Sequence, residues 1–188
     1  MPANNPKKMR LIGIAGCAHS GKNTVGNYLI NHIESGWKCS AFADPIKAML
    51  AVMGVDCSDA NKDVIDPHYG VTPRYMMQTL GTEWGRDTIG VSTWIIGFLR
   101  RGIGFDHVVP DVRRENEADL IRDHGVLIHL TGRGGIAGTH ASEKTLPVQL
   151  GDLVIDNSGT LEDLYKAIDI NDIADKLHIA NTPNWLPF

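Results

Sequence analysis

The stretch Gly16-Cys17-Ala18-His19-Ser20-Gly21-Lys22-Asn23-Thr24 constrains the fold of this chain more than any other. An apolar run, Leu11–Ala15, precedes it, and Val25, Leu29 and Ile33 follow at helical spacing. Strand, glycine-bearing loop, helix is the setting that a phosphate-binding loop requires. Glycines let the backbone curl its N–H groups around an anion, and the helix aims the positive end of its dipole at the same charge. Lys22 stands where it can neutralise the outer phosphates of a nucleoside triphosphate. The segment fits G-x-x-x-x-G-K, but Asn23 replaces the usual Ser or Thr ligand of Mg²⁺, and Thr24 comes one position late. Gly16, Ser20, Gly21, Lys22, Asn23 and Thr24 are therefore the candidate nucleotide-binding residues.

Apolar and amphipathic stretches alternate along the rest of the chain. Ser35-Gly36 closes the first helix and Lys38–Ala43 reads as a second strand. Asp44-Pro45 opens a helix, with Asp44 as N-cap and Pro45 at the first position. Cys57–Thr72 is polar and irregular. Pro73 starts a helix towards Leu80, which Gly81 and Gly85 are expected to break, and Ser92–Arg101 forms another. Asp106–Pro110, Val126–Leu130 and Leu153–Ile155 read as strands. Glu117–Asp123 reads as a helix with Asn116 and Asp119 at its cap. Thr160 to Asp163 has the form of a capping box for a helix through Ile168, and Ile170, Ile173, Ala174 and Leu177 mark a last helical stripe.

This alternation predicts an α/β fold of three layers, a parallel sheet of about five strands with helices on both faces. Ligands of such sheets gather at the carboxyl ends of the strands. Asp111 and Asp156-Asn157 join the glycine loop at such ends.

Composition narrows the classes. The chain has 188 residues, 43% of them hydrophobic, enough for a real core, and a net charge of −4. That charge gives no general attraction to nucleic acid or anionic membrane, so neither is an expected partner and any anion site is built locally. No apolar stretch approaches the roughly 20 residues of a membrane span. Three cysteines without a C-x-x-C pair read as free thiols in a cytoplasmic protein. The eight histidines include no H-E-x-x-H, and His140-Ala-Ser-Glu143 offers too few ligands for zinc.

Arg74 and Gln78 lie four apart and share a helix face, with Arg86 following Gly81 and Gly85. Two guanidiniums and an amide around a bend suit a bound phosphate and a base edge. A solvated helix face over a buried Trp84 is the structural alternative. Asp111 can hold a metal-bound water or accept a proton, and Arg113 follows it; a turn cap and a surface charge are the plain alternative. Arg133, after Thr131-Gly132, enters a glycine-rich excursion that could close over phosphates or be an ordinary loop.

Together these segments resemble the phage-type deoxynucleoside monophosphate kinases, a branch of the P-loop nucleoside monophosphate kinases. The resemblance rests on Gly16–Thr24, Phe42-Ala-Asp-Pro-Ile-Lys47, Arg74–Asp87 with Trp94, Pro110–Ala118, Arg133 with His140–Glu143, and Asp156–Leu164. It implies transfer of the ATP γ-phosphate to a deoxynucleoside monophosphate with Mg²⁺, in the host cytoplasm if the chain is phage-encoded. A homodimer is a further expectation. Residues 1–9 read as a disordered lead-in to one domain over 10–188, in which the resemblance implies an acceptor region at about 44–102 and a mobile lid at about 132–147. By the same resemblance Lys22, Arg133 and Asp111 are the catalytic candidates, and Asn157 borders the adenine. Asp44, Lys47, Arg74, Gln78, Thr82, Glu83, Arg86, Trp94 and Arg113 would surround the acceptor. The family commonly has Asp after the loop lysine. Asn23 departs from that, which leaves Thr24, Asn23 and Asp111 as candidate metal ligands. Dephospho-coenzyme A kinase, phosphomevalonate kinase and a non-catalytic ATP-binding module are the rival readings.

Overall fold

The computed structural model describes residues 9–102, 104–134 and 146–179. In chain order the elements are β1 (Leu11–Ala15), α1 (Lys22–His32), β2 (Trp37–Cys39), α2 (Asp44–Val52), α3 (Pro73–Thr79), a π-helix (Leu80–Ile89), α4 (Thr93–Gly102), β3 (Asp106–Val112), α5 (Glu115–His124), β4 (Gly125–Thr131), β5 (Leu153–Asp156), α6 (Leu161–Ala167) and α7 (Ile170–Ile179). The chain divides into two compact units: residues 41–101 form one, and the chain on either side of them forms the other.

The flanking unit carries the sheet, five parallel strands in the order β2-β3-β1-β4-β5. Side chains alternate across a strand, so each face needs its own cover. Ile12, Ile14, Val108, Val126 and Ile128 pack with Val25 and Leu29 of α1, Leu164 of α6, and Ile173 and Leu177 of α7. Burying each such aliphatic side chain stabilises by about 1.5–3 kcal/mol. On the other face α5 approaches closely enough that a Cβ on Gly13 would lie 2.7 Å from Cγ1 and 2.8 Å from Cγ2 of Ile121. Helices therefore cover both faces, as the alternation predicts.

At three boundaries a side chain that binds backbone moves the element away from the sequence expectation. β2 ends at Cys39 rather than Ala43. Ser40 still donates its N–H to the Val108 carbonyl (3.0 Å), and then Asp44 Oδ2 accepts the Ala41 N–H (2.7 Å) and closes a turn. That turn makes Asp44 the first helical residue, with Ala43 in the cap position. α5 begins before Asn116, so Asn116 lies inside the helix. Glu117 supplies the cap by reaching back to accept the N–H groups of Arg113 (2.9 Å) and Arg114 (3.1 Å). The box at Thr160 forms as predicted: Thr160 Oγ1 accepts the Asp163 N–H (3.2 Å), and Asp163 Oδ2 accepts the Thr160 N–H (2.9 Å).

The unit of residues 41–101 is helical, and Phe42 packs on Phe98 with ring centroids 4.9 Å apart. Gly81 and Gly85 do not break its third helix. The backbone widens instead into a π-helix that runs through both glycines and closes at Gly90. Such helices are rare and usually a single turn. This one is held by Trp94 of α4, whose indole N–H donates to the Gly81 carbonyl (2.8 Å). The same ring lies where a Gly85 side chain would be, for a Cβ there would meet Trp94 Cε2 at 2.6 Å. Trp94 is buried, 5% exposed, whereas Trp84 is 42% exposed, so the alternative of a helix face over a buried Trp84 does not hold.

Candidate active site

The turn from β1 to α1 forms a cradle of backbone. Gly21 caps α1 with φ +98°, and a Cβ on it would lie 2.7 Å from Asn157 Nδ2, so only glycine meets both demands. No side chain caps this helix and no acid lies in its first turn. Its N-terminal N–H groups and dipole are thus offered to an anion. Lys22 Nζ donates to the carbonyls of Gly16 (2.7 Å) and Cys17 and lies 3.5 Å from Ser20 Oγ. The ammonium spans the cradle. Asn23 is exposed and Thr24 half-buried at the same helix end.

Asn157, buried just beyond β5, donates its Nδ2–H to the Ser20 carbonyl (2.8 Å). It therefore pins the loop, a role without any signal in the sequence. The segment leaving β4 also passes against the loop: a Cβ on Gly134 would lie 2.9 Å from the Ala18 carbonyl. Between them Arg133 donates to the Gly159 carbonyl (2.7 Å). Asp111 lies in β3 one residue from its end, and the pairing of Val112 with Ala15 sets that end beside the start of the loop. Arg113 follows, exposed. One end of the sheet thus gathers Lys22, Asn23, Thr24, Asp111, Asn157 and Arg133. Among the described residues no group of three His, Cys, Asp or Glu side chains is disposed to hold a metal. His140–Glu143 and most of the expected lid lie outside the described residues.

Behind this end a buried carboxylate, Asp152, ties α5 to β4. It receives Arg122 Nη2 (2.9 Å) and Nε (3.0 Å), His129 Nε2 (2.9 Å) and the Gln149 N–H (2.9 Å). Burial alone would push its carboxyl up, but the bonds from Arg122, Gln149 and His129 outweigh that and hold it below the usual range.

The unit of residues 41–101 holds its own set. Arg74 and Gln78 lie one turn apart on α3, with Thr82, Glu83 and Arg86 on the π-helix. Arg74 pairs in a fork with Asp63 (Nη2 to Oδ2, 3.0 Å), a partner without any sequence signal because it comes from the irregular stretch. Arg86 donates to the Val91 carbonyl (2.8 Å). Asp44 is engaged with the Ala41 N–H and Lys47 is exposed. Trp94, with its N–H used by Gly81, braces the π-helix from its buried side.

Residues 52–168 match a family model described as deoxynucleotide monophosphate kinase. A putative deoxynucleotide monophosphate kinase of Acanthamoeba polyphaga mimivirus is 32% identical over 184 residues, spanning 85% of this chain and 94% of its own. The deoxynucleotide monophosphate kinase of Enterobacteria phage T4 is 36% identical over 103 residues, and the match spans 50% of this chain and 43% of that relative. Among solved structures a gluconokinase from Sinorhizobium meliloti 1021 aligns with a TM-score of 0.44 and 13% identity, over 92% of this chain and 94% of that one. That likeness is too loose to bear on fold or function. The mimivirus relative is matched over nearly its whole length, and the family model takes in most of the chain from α2 to α6. On both counts the chain belongs to the deoxynucleotide monophosphate kinase family.

Proposed function

We propose that the protein transfers the γ-phosphoryl group of ATP to the 5′-phosphate of a deoxynucleoside monophosphate, giving the diphosphate and ADP. The observation that carries the ATP half is the α1 terminus: no side-chain cap, no acid in its first turn, and Lys22 Nζ spanning the loop carbonyls. Those features fit a triphosphate, whose oxygens would take the helix N–H groups and draw Lys22 off the carbonyls. Mg²⁺ bound with ATP would neutralise phosphate charge. Thr24 and Asn23 would offer it neutral oxygens and Asp111 a carboxylate, through water.

Phosphoryl transfer asks for positioning and charge stabilisation more than for covalent help. Arg133 would leave the Gly159 carbonyl and face the transferring group. Arg74, Gln78 and Arg86 would hold the acceptor, with Asp44, Lys47, Thr82, Glu83 and Arg113 completing its surroundings. Trp94 would act from behind, by keeping the π-helix in shape. Arg74 already grips a carboxylate as it would grip phosphate, bidentately through its guanidinium. The cell compartment would be the cytoplasm in which the nucleotides are made.

The test is an acceptor panel. The purified protein, given ATP and Mg²⁺, is assayed for ADP release with every deoxy- and ribonucleoside monophosphate, dephospho-coenzyme A and phosphomevalonate. Deoxynucleotide-dependent turnover is expected, and Lys22→Met should lower it about a thousandfold or more. Turnover that ignores every acceptor would instead mark an ATP-hydrolysing binding module.

A further inference from the structure

The sheet-bearing unit is interrupted between Ser40 and Gly102, where the chain leaves for residues 41–101 and returns. Both bordering residues are held by one buried side chain. His107 of β3 is 3% exposed; its Nδ1 lies 2.9 Å from Ser40 Oγ and its Nε2 lies 3.1 Å from the Gly102 carbonyl. A carbonyl only accepts, so Nε2 carries the proton, and in the neutral ring Nδ1 accepts the Ser40 hydroxyl proton. The fit is close on both sides. A Cβ on Gly102 would lie 2.9 Å from His107 Nε2, and Ser40 also pairs through its N–H with the Val108 carbonyl (3.0 Å). Within the other unit the Arg101 guanidinium reaches the Ala41 carbonyl at 3.5 Å. The chain leaving β2 and the chain returning at the end of α4 are thus tied side by side on both sides of the boundary.

We infer that His107, with Ser40, is a positioning residue that sets the pivot between the ATP-holding and acceptor-holding parts of the enzyme. The inference rests on the function proposed above. The proposed ATP residues, Asp111 of β3 among them, all lie outside 41–101, while Arg74, Gln78, Thr82, Glu83 and Arg86 all lie inside it. Only the two crossings join those parts covalently. Play at the crossings is carried to the reacting atoms, where a misplacement of about 1 Å can lower rate up to about a hundredfold. Hinges of this kind are a few element-terminal residues far from the chemistry. An imidazole that bridges both crossings removes one rotation there without touching either substrate.

The test compares Ser40→Ala, Ser40→Thr and His107→Gln with the parent enzyme. Ser40→Ala deletes one tie and keeps the backbone pairing with Val108, so it leaves the sheet intact, whereas His107→Gln alters a buried side chain of β3 itself. Binding of a non-hydrolysable ATP analogue without acceptor should stay within about twofold of the parent in Ser40→Ala, while kcat/KM for the deoxynucleotide falls about tenfold. Ser40→Thr, which keeps the hydroxyl, should restore it. Amide exchange should quicken at residues 40–44 and 98–102 and stay unchanged in the sheet.

Unchanged acceptor kinetics in both Ser40→Ala and His107→Gln would overturn the inference. So would an equal loss of analogue binding, which marks a general structural defect. Should the parent phosphorylate no deoxynucleotide, the function proposed above fails, and the exchange measurement alone then decides the clasp. Exchange unaltered at both crossings overturns it in that case.

Discussion

Replacing Gly85 by alanine tests the account of the π-helix at its narrowest point. The new methyl would stand 2.6 Å from Cε2 and 2.7 Å from Nε1 of Trp94, where ordinary contact begins at 3.4 Å. Trp94 Cζ2 lies nearer still, so ring and helix must separate by about 1 Å. The indole cannot swing aside like the end of a lysine, because it is 5% exposed and anchored by its N–H to the Gly81 carbonyl. Overpacking of a rigid buried group costs about 1–3 kcal/mol, and losing a neutral hydrogen bond about 1 kcal/mol. Together these predict a destabilisation of about 2–4 kcal/mol in the unit of residues 41–101. Urea denaturation followed by far-UV circular dichroism measures it, read as a shift of one transition if the two units melt separately. The acceptor KM should rise with it, while the ATP KM stays put. Trp94→Leu supplies the control: it destabilises alone but should make a second change, Gly85→Ala, nearly free, since contacting residues couple. The reasoning is refuted if Gly85→Ala leaves the midpoint unmoved, or is as harmful beside Leu as beside Trp.

Further outcomes can be checked alongside. Asn157→Ala removes the buried bond to the Ser20 carbonyl and should raise the ATP KM several-fold, with about 1–2 kcal/mol lost in urea and the acceptor KM unchanged. Asn23→Asp places a carboxylate at the start of α1 and should lower the Mg²⁺ concentration for half-maximal rate, whereas Asn23→Ala should act only modestly; titrating activity against free Mg²⁺ at fixed ATP decides both. Asp152 has its carboxyl held below the usual range, so its contribution to stability is complete above the unfolded-state value of about 4 and is lost as pH falls through the lowered folded value. The stability gap between parent and Asp152→Asn should accordingly be wide at neutral pH and close in acid, measured as urea midpoints across pH.

Much of the sheet-bearing unit was legible in the sequence because its signals are local. Leu11–Ala15 reads as a buried strand from continuous apolar character, and it occupies those same residues in the structure. Thr160 and Asp163 satisfy each other three residues apart, so their box needs no tertiary help. The failures share a physical cause: the deciding partner lies elsewhere in the chain. Glycine's low helix propensity argued for a break at Gly81 and Gly85, but Trp94 fills the space beside Gly85 and donates its indole N–H to the Gly81 carbonyl, so the turn is held. Asn116 looked like the cap of α5 by type, while the longer Glu117 reached back to two N–H groups instead. At the site, glycine spacing placed the loop and Lys22. It could not place Asn157 on the Ser20 carbonyl or Asp63 on Arg74, since neither pairing leaves a periodic trace.

β2 and β3 are parallel neighbours, and one crossover helix would suffice to join them. The chain instead spends residues 41–101 on the journey. Because that journey begins and ends at the same imidazole, the sheet registers only two anchored ends and is indifferent to what lies between. Inheritance can act on such an arrangement piecewise. The crossover can lengthen, shorten or be exchanged for another without altering strand order or the β1–α1 loop, so that on the function proposed above the choice of acceptor would drift while the means of handling ATP stayed fixed.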